Sequence, residues 1–316
     1  MKLVVAGALG HIGSAVIRQI PSKLDIAEIV MIDNMMTQRY CSLFNLPTHV
    51  KHRFIEADLL NMDLQSIFHG ADVVIQLAAI TDAAGSFENK ERVEHNNYNT
   101  TAKVAEACSK VGCRMIHLSS TSVYGTQREI VDEDCPSEDL RPQSPYAATK
   151  LKEEQFLQQL GLTGKLRFVT FRCGTICGVS PGMRFHTAVN KFCWQAVIGQ
   201  PITVWRTAMH QKRPYLDLGD AIEAMKFVIE RDLFDNRIYN VLTENLTVDS
   251  IINSIRQYVP KPIIEYVDAE IMNQLSYNVS NSRFQAAGVT FTGSVKERIR
   301  ETIDLLRSCS SGRPGK

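Results

Sequence analysis

Lys2-Leu3-Val4-Val5-Ala6-Gly7-Ala8-Leu9-Gly10-His11-Ile12-Gly13 joins an unbroken apolar run to three glycines spaced three apart. The run reads as a strand buried on both faces, and the stretch that follows, about 11–20, has the length of a helix. A Gly-x-x-Gly-x-x-Gly turn between two such elements lets backbone N–H groups approach an anion while the helix N-terminus faces it. Glycines at this spacing also arise in loops that bind nothing, so the rest of the chain has to decide.

Working outward, apolar runs recur at 28–32, 53–56, 73–77, 115–118 and 167–171, continuous rather than alternating. Helix-length amphipathic stretches lie between them at about 92–111 and 146–161, the latter opened by Ser144-Pro145. This order predicts an α/β doubly wound parallel sheet of Rossmann type. After residue 171 the rhythm breaks at Gly174, Gly178, Pro181 and Gly182, before an amphipathic stretch at 187–198. A second, smaller α/β substrate domain is expected from about 173–212 and 244–307, with helices near 248–257 and 295–306. The first domain is expected to span 1–172 and to regain about 213–243, which holds a segment at 216–230 and a strand-like run at 237–242. Residues 308–316 read as a disordered tail.

Composition narrows the function. Hydrophobic residues make up 44% and charged residues 22% of the 316, in the range of a globular chain with a sizeable core. The 35 Lys and Arg nearly balance 34 Asp and Glu, so no broad field draws nucleic acid or anionic lipid, and any anion site must be local. No apolar run approaches the roughly eighteen residues of a membrane span, and the N-terminal run is too short for a signal peptide. A cytoplasmic location and no membrane partner are expected. The eight cysteines are scattered without a Cys-x-x-Cys pair and read as reduced thiols, with no metal site expected. Asn-x-Ser/Thr triplets at Asn99, Asn245 and Asn278 read as chance.

Around the loop, Gly7, Gly10, His11, Ile12 and Gly13 are candidates to hold a dinucleotide. Asp33 ends the second strand twenty residues beyond Gly13, where a carboxylate can take both adenosine-ribose hydroxyls and repel a 2′-phosphate, which favours NAD over NADP. The alternative is a turn capped by Asp33 with Asn34, and Arg39 complicates the reading as a nearby cation able to serve a phosphate. Asp58-Leu59 would bracket the adenine or else form a solvent-facing strand end. Leu77-Ala78-Ala79 gives room for a cofactor against the backbone, though alone it is ordinary core.

Tyr146-x-x-x-Lys150 sets a phenol and an ammonium on one helix face, where the cation lowers the phenol's pKa from about 10. With nine tyrosines such a pair arises by accident about as often as not, so its position carries the weight. It follows Ser119-Ser120-Thr121 at the end of the fifth strand, so hydroxyl and phenol converge at the carboxyl edge of the sheet, where ligands sit in such folds.

With these residues in order, residues 1–307 or so resemble the extended short-chain dehydrogenase/reductase family, in particular its NAD-dependent nucleotide-sugar epimerases and dehydratases. The resemblance implies the loop at Gly7, Gly10 and Gly13, the strand end Leu77–Ala79, and Asn97 beside the nicotinamide ribose. It implies Ser120 as the catalytic hydroxyl, four residues before Tyr124, with Tyr146 as acid and base and Lys150 binding the ribose and tuning the phenol. Arg213-Pro-Tyr-Leu-Asp-Leu-Gly-Asp220 resembles the segment whose arginine contacts the substrate diphosphate; a surface arginine is the alternative, and Asp220 is expected to cap the helix after it. Ser120, Thr121, Ser122, Thr175, Arg184, His186, Thr187, Asn190 and Arg213 fall where relatives line the sugar pocket, with His186 read as packing rather than as an acid.

Departures qualify this picture. Thr175 stands where relatives place an asparagine before Tyr-Gly-Pro, and Trp205-Arg206-Thr207-Ala208 replaces a Gly-x-Gly turn. Both imply an altered pocket. Ser122 stands where relatives that eliminate water or decarboxylate carry a carboxylate, and a hydroxyl is a poor acid or base at neutral pH. The expected reaction is therefore epimerisation of a nucleotide-diphosphate sugar by transient oxidation at C4. Net dehydrogenation or keto-reduction, and a non-catalytic NAD-binding regulator, are the alternatives. Family resemblance also implies a homodimer through helices near 97–111 and 146–160, with Tyr98, Ala102 and Ala105 on the face.

Overall fold

Alternate residues of the first strand enter different hydrophobic clusters: Leu3 and Val5 one, Val4 and Ala6 the other. A strand apolar on both faces needs helices above and below it, and the computed structural model has them. It describes residues 1–81, 85–125, 128–268 and 277–308. Its strands are β1 (Lys2–Ala6), β2 (Glu28–Asp33), β3 (Lys51–Glu56), β4 (Val73–Gln76), β5 (Arg114–Ser120), β6 (Ile130–Val131), β7 (Phe168–Cys173), β8 (Thr175–Cys177), β9 (Ile202–Trp205), β10 (Lys212–Asp217), β11 (Ile238–Val241), β12 (Glu244–Thr247), β13 (Ile264–Val267) and β14 (Asn278–Val279). Its helices are α1 (His11–Gln19), α2 (Leu64–Phe68), α3 (Lys90–Val111), α4 (Pro145–Leu162), α5 (Ala188–Val197), α6 (Leu218–Glu230), α7 (Val248–Arg256), α8 (Ser282–Ala286) and α9 (Val295–Leu306).

The main sheet has seven strands in the order β11-β7-β5-β4-β1-β2-β3, every neighbouring pair parallel. The chain order reverses between β1 and β4, and the glycine loop leaves β1 at that point, where a doubly wound sheet opens a crevice. One face packs on α1 and α6 through Val16, Ile17, Ile222 and Met225; the other packs on α3 and α4 through Val104, Cys108 and Leu157. α4 starts as its sequence indicates, with Ser144 Oγ accepting from Ala147 N at 3.1 Å and Pro145 in the first turn.

A second body of structure follows β7. β12-β10-β8 form a three-stranded sheet and β9 pairs with β13, over a cluster containing Val189, Phe192, Ile251, Ile255 and Ile299. The stretch expected as one segment at 216–230 is divided: β10 belongs to this small sheet, whereas α6 returns to the main core. Asp217, not Asp220, caps α6 by accepting from Gly219 N at 2.6 Å. Asp220 instead accepts from Thr292 N, Gly293 N and Thr243 Oγ1, tying three segments together. α8 also returns, placing Phe284 in the core beside Phe171 and Tyr239. No helix among the described residues is long and apolar enough to cross a membrane. Of the tail expected at 308–316, all but Ser308 lies outside the described residues.

Candidate active site

The carboxyl ends of β1, β4, β5 and β7 open on a cavity of ≈ 620 Å³. Gly7, Gly10, His11, Ile12 and Gly13 border it, as do Ser120, Tyr146 and Lys150, and Thr175, Arg184, His186, Thr187 and Arg213. Thr121 and Ser122 also border it. A smaller pocket of ≈ 120 Å³ adjoins, lined by Asp33, Asn34, Asp58, Leu59 and Ala78, with Gly7, Gly10, Arg39, Leu77 and Ala79 common to both. Residues 113 positions apart in sequence, Gly7 and Ser120, thus meet because β1 and β5 both flank β4.

α1 presents its N-terminus to the cavity with no side-chain cap and no acidic residue in its first turn. The first N–H groups of a helix have no partner within it, so this end attracts an anion. A Cβ built on Gly13 would lie 2.4 Å from Gly7 O, so glycine is required there by the protein itself. At Gly10 a Cβ would meet nothing nearer than Gly7 O at 3.5 Å, and the backbone has an ordinary φ of −67°. The protein itself therefore leaves room for a side chain at Gly10. The segment after β8 locks onto this helix: His11 Nε2 donates to Gly178 O at 2.8 Å, Ser180 Oγ donates to His11 O at 2.8 Å, and Gly182 N donates to Ser14 Oγ at 2.9 Å. Burial holds His11 well below the usual histidine range, at about 4, and its Nδ1 has no partner among the described residues.

Asp33 is fixed by two backbone donors, Leu9 N to Oδ2 and Met35 N to Oδ1, each at 3.0 Å. Asp58 accepts from Leu60 N at 2.9 Å. Ser120 Oγ accepts from Ser122 N at 3.2 Å and from Ser122 Oγ at 2.8 Å, so Ser122 orients the hydroxyl ahead of it. Lys150 Nζ lies 6.0 Å from the centre of the Tyr146 ring. Burial lifts the Tyr146 phenol above its ordinary value, and the pull of Lys150 and Arg184 does not overcome it. The expectation that Lys150 brings the phenol down is thus met in the direction of that influence and not in the net result.

Two of the expected residues lie outside both cavity linings. Asn97 borders neither cavity; it is fully buried, accepts from Ile80 N at 2.8 Å and donates to Ile80 O at 2.9 Å, and so pins the backbone after β4. Asn190 is also buried; its Nδ2 donates to Arg184 O at 3.0 Å, and its Oδ1 has no partner among the described residues. Tyr124 is sealed under Arg172 and Asn240 at 2.9 and 2.8 Å and does not reach the cavity. Sequence reasoning missed Gln76, Lys191, Gln211 and Tyr277, all on the cavity wall. It also missed His117 and Glu153 behind Lys150, for which a charge in the run Met115-Ile-His-Leu118 and one a helical turn from Lys150 were the available signals.

The model of the NAD dependent epimerase/dehydratase family matches residues 3–241. Among curated proteins, a trifunctional UDP-glucose 4,6-dehydratase/UDP-4-keto-6-deoxy-D-glucose 3,5-epimerase/UDP-4-keto-L-rhamnose-reductase of Arabidopsis thaliana is 27% identical over 321 residues, covering 96% of this chain and 47% of the relative. The chain spans about half the length of such relatives. An uncharacterized UDP-glucose epimerase of Bacillus subtilis is 28% identical over 238 residues, 72% of each. Among solved structures, a UDP-N-acetylglucosamine 4-epimerase from Methanobrevibacter ruminantium superposes with a TM-score of 0.83 at 25% identity, covering 97% of this chain and 98% of that one. A UDP-glucuronic acid 4-epimerase from Bacillus cereus shares the fold at a TM-score of 0.86 and 23% identity, covering 98% and 99%. With three quarters of its length matched and the glycine loop, Ser120, Tyr146 and Lys150 on one cavity, this chain belongs to the NAD dependent epimerase/dehydratase family.

Proposed function

We propose that the chain is an NAD-dependent nucleotide-sugar epimerase that oxidises a sugar carbinol carbon, C4 of the hexose, and re-reduces it from the opposite face. The carrying observation is the charge of the cavity. Arg39, Lys150, Arg184, Lys191 and Arg213 border it, and no Asp or Glu does among the described residues. In a chain of net charge +1 this is a local concentration of cations, suited to diphosphates on both ligands. Among the described residues it also holds no carboxylate to carry out elimination, in keeping with Ser122.

NAD fits along β1, β4 and α1, its pyrophosphate at the bare end of α1 over Gly10 and its adenosine in the pocket of Asp33 and Asp58; when bound, it accepts and returns the hydrogen of the sugar carbon. Tyr146, as phenolate, takes the hydroxyl proton and gives it back on reversal. Ser120, oriented by Ser122, hydrogen-bonds the same oxygen as negative charge develops on it. Lys150 favours the phenolate electrostatically. Arg213 takes the substrate diphosphate, supported by Arg184 and His186. Thr187 Oγ1 is buried without a partner among the described residues although Thr187 precedes α5, which leaves it and Thr175 for the sugar. The small sheet of β8, β10 and β12 with α5, α7 and α9 supplies the substrate side, and the main sheet, to which α6, β11 and α8 return, the cofactor side. The outer faces of α3 and α4 form a homodimer, through Tyr98 and Ala102; Ala105 is in the monomer core and is not part of that face. The near-neutral charge and unpaired thiols suit a cytoplasmic setting.

The test is NMR of products formed from a panel of UDP- and dTDP-sugars with NAD in deuterated water. A C4 epimer that keeps its C4 hydrogen is expected. A 6-deoxy-4-keto product, or stoichiometric accumulation of NADH, would overturn the proposal.

A further inference from the structure

Behind the cavity, one oxygen gathers three donors. Glu153 Oε2 accepts from Lys150 Nζ at 2.9 Å, from His117 Nε2 at 2.8 Å and from Thr101 Oγ1 at 2.9 Å. Lys150 and Glu153 sit on α4, His117 on β5 and Thr101 on α3, and all four side chains are buried. Because a carboxylate only accepts, the His117 proton is on Nε2 and its Nδ1 takes the Thr170 hydroxyl at 3.3 Å. Glu153 Oε1 has no partner among the described residues. A buried ion pair costs desolvation that an apolar pair of the same size avoids, so packing alone does not account for it.

We propose that Glu153, braced by His117 and Thr101, is a positioning residue that anchors Lys150 and sets the pH at which Tyr146 yields its proton. The inference rests on the assignment of Tyr146 as the proton-transferring group. Burial works against the charge on Lys150; Glu153, the largest of the influences that oppose burial, together with Tyr146 and Cys173 outweighs it, so the ammonium stays charged. Burial also works against the Glu153 carboxylate, which Lys150 and His117 hold below its usual range. The second consequence opposes the first: Glu153 offsets part of the positive charge felt at the phenol. Facing Tyr146 are Lys150 and Glu153 from its own helix, Arg184 from the segment between β8 and α5, and Cys173 from the end of β7. Of these, Glu153 is the anion whose removal changes the balance without touching the cavity wall. His117, which faces Lys150, Glu153 and Glu154, is kept neutral by burial and so acts as a donor and not as a second cation.

Glu153→Gln keeps the shape and removes the charge. Activity of the phenolate rises as pH passes the Tyr146 pKa, so the acid limb of the kcat/KM profile is expected to move to lower pH, by about one unit for one charge at a buried site. Lys150, deprived of its anion, loses its proton more readily, so the basic limb moves the same way. Tyrosinate absorbance, taken as Glu153→Gln minus Glu153→Gln with Tyr146→Phe, follows the acid limb without relying on turnover. If Glu153→Gln fails to fold, Glu153→Asp, whose carboxylate is withdrawn from Lys150 by one methylene, carries the test with a smaller shift in the same direction. A fall in activity or stability with both profiles unmoved overturns the proposal and leaves Glu153 a structural brace. Failure of the underlying assignment is separable, because it shows as near-wild-type turnover in Tyr146→Phe.

Discussion

Gly10 and Gly13 belong to one motif, yet their surroundings assign them different work, and alanine separates them. On Gly13 a methyl would stand 2.4 Å from Gly7 O and 2.7 Å from the carbonyl of Ala8, all backbone atoms that cannot step aside. Overpacking of this kind costs about 2 kcal/mol, which lowers the melting temperature of a chain this size by about 3 °C. On Gly10 the nearest atoms are Gly7 O at 3.5 Å and Arg39 Nη1 at 3.9 Å, and φ is −67°. Alanine fits there, and by narrowing the unfolded ensemble it adds about 0.5 kcal/mol of stability. The same methyl occupies the space over the α1 N-terminus. If a pyrophosphate oxygen belongs in that space, one charge-assisted hydrogen bond of about 2 kcal/mol is lost, and the NAD dissociation constant rises about thirtyfold. Differential scanning fluorimetry without ligand and calorimetry with NAD separate the two effects. Gly10→Ala should be as stable as wild type and bind poorly; Gly13→Ala should be unstable. Wild-type affinity in Gly10→Ala would refute the placement of the pyrophosphate.

Other outcomes follow from the same structure. His11 stays neutral when folded down to about pH 4 but takes a proton near 6.5 when unfolded, so its contribution to stability is full above pH 6.5 and is lost as pH falls through that window toward 4. Urea unfolding at pH 7 and pH 5 should differ by about 2 kcal/mol from this group alone, and His11→Gln should remove that part. Arg172→Met strands Glu154, now held at 2.7 Å, and the Tyr124 hydroxyl, so denaturant unfolding should show a loss of about 4 kcal/mol; Arg172→Met with Glu154→Leu should recover most of it, and an unchanged single variant would contradict the reading. Asp33, fixed by Leu9 N and Met35 N, should make NAD bind at least about tenfold tighter than NADP; equal affinities by calorimetry would mean that Arg39 serves a 2′-phosphate.

What the sequence disclosed was local. Continuous apolar runs gave the strands, Ser144-Pro145 gave the start of α4, and the loop, Ser120, Tyr146 and Lys150 met at one cavity because the order of strands in a doubly wound sheet is constrained. What it hid was set by contacts distant along the chain. Asp217 and Asp220 are both plausible caps by spacing, and only the approach of residues 292–293 turns Asp220 to another task. The Asn97 amide is engaged by Ile80 and the Asn190 amide nitrogen by Arg184 O, partners that no periodicity reveals. The phenol of Tyr146 illustrates the same limit: its spacing from Lys150 is legible, whereas the burial that outweighs that cation comes from the assembled cavity.

The central claim is that Tyr146 moves the proton while the sugar carbon is oxidised on bound NAD. The most direct measurement is turnover of the NMR-identified substrate by Tyr146→Phe, beside its NAD affinity by calorimetry. Phenylalanine keeps the ring and removes the oxygen, so turnover should fall by roughly a thousandfold or more while the NAD dissociation constant stays within about threefold of wild type. Turnover near the wild-type rate would contradict the account.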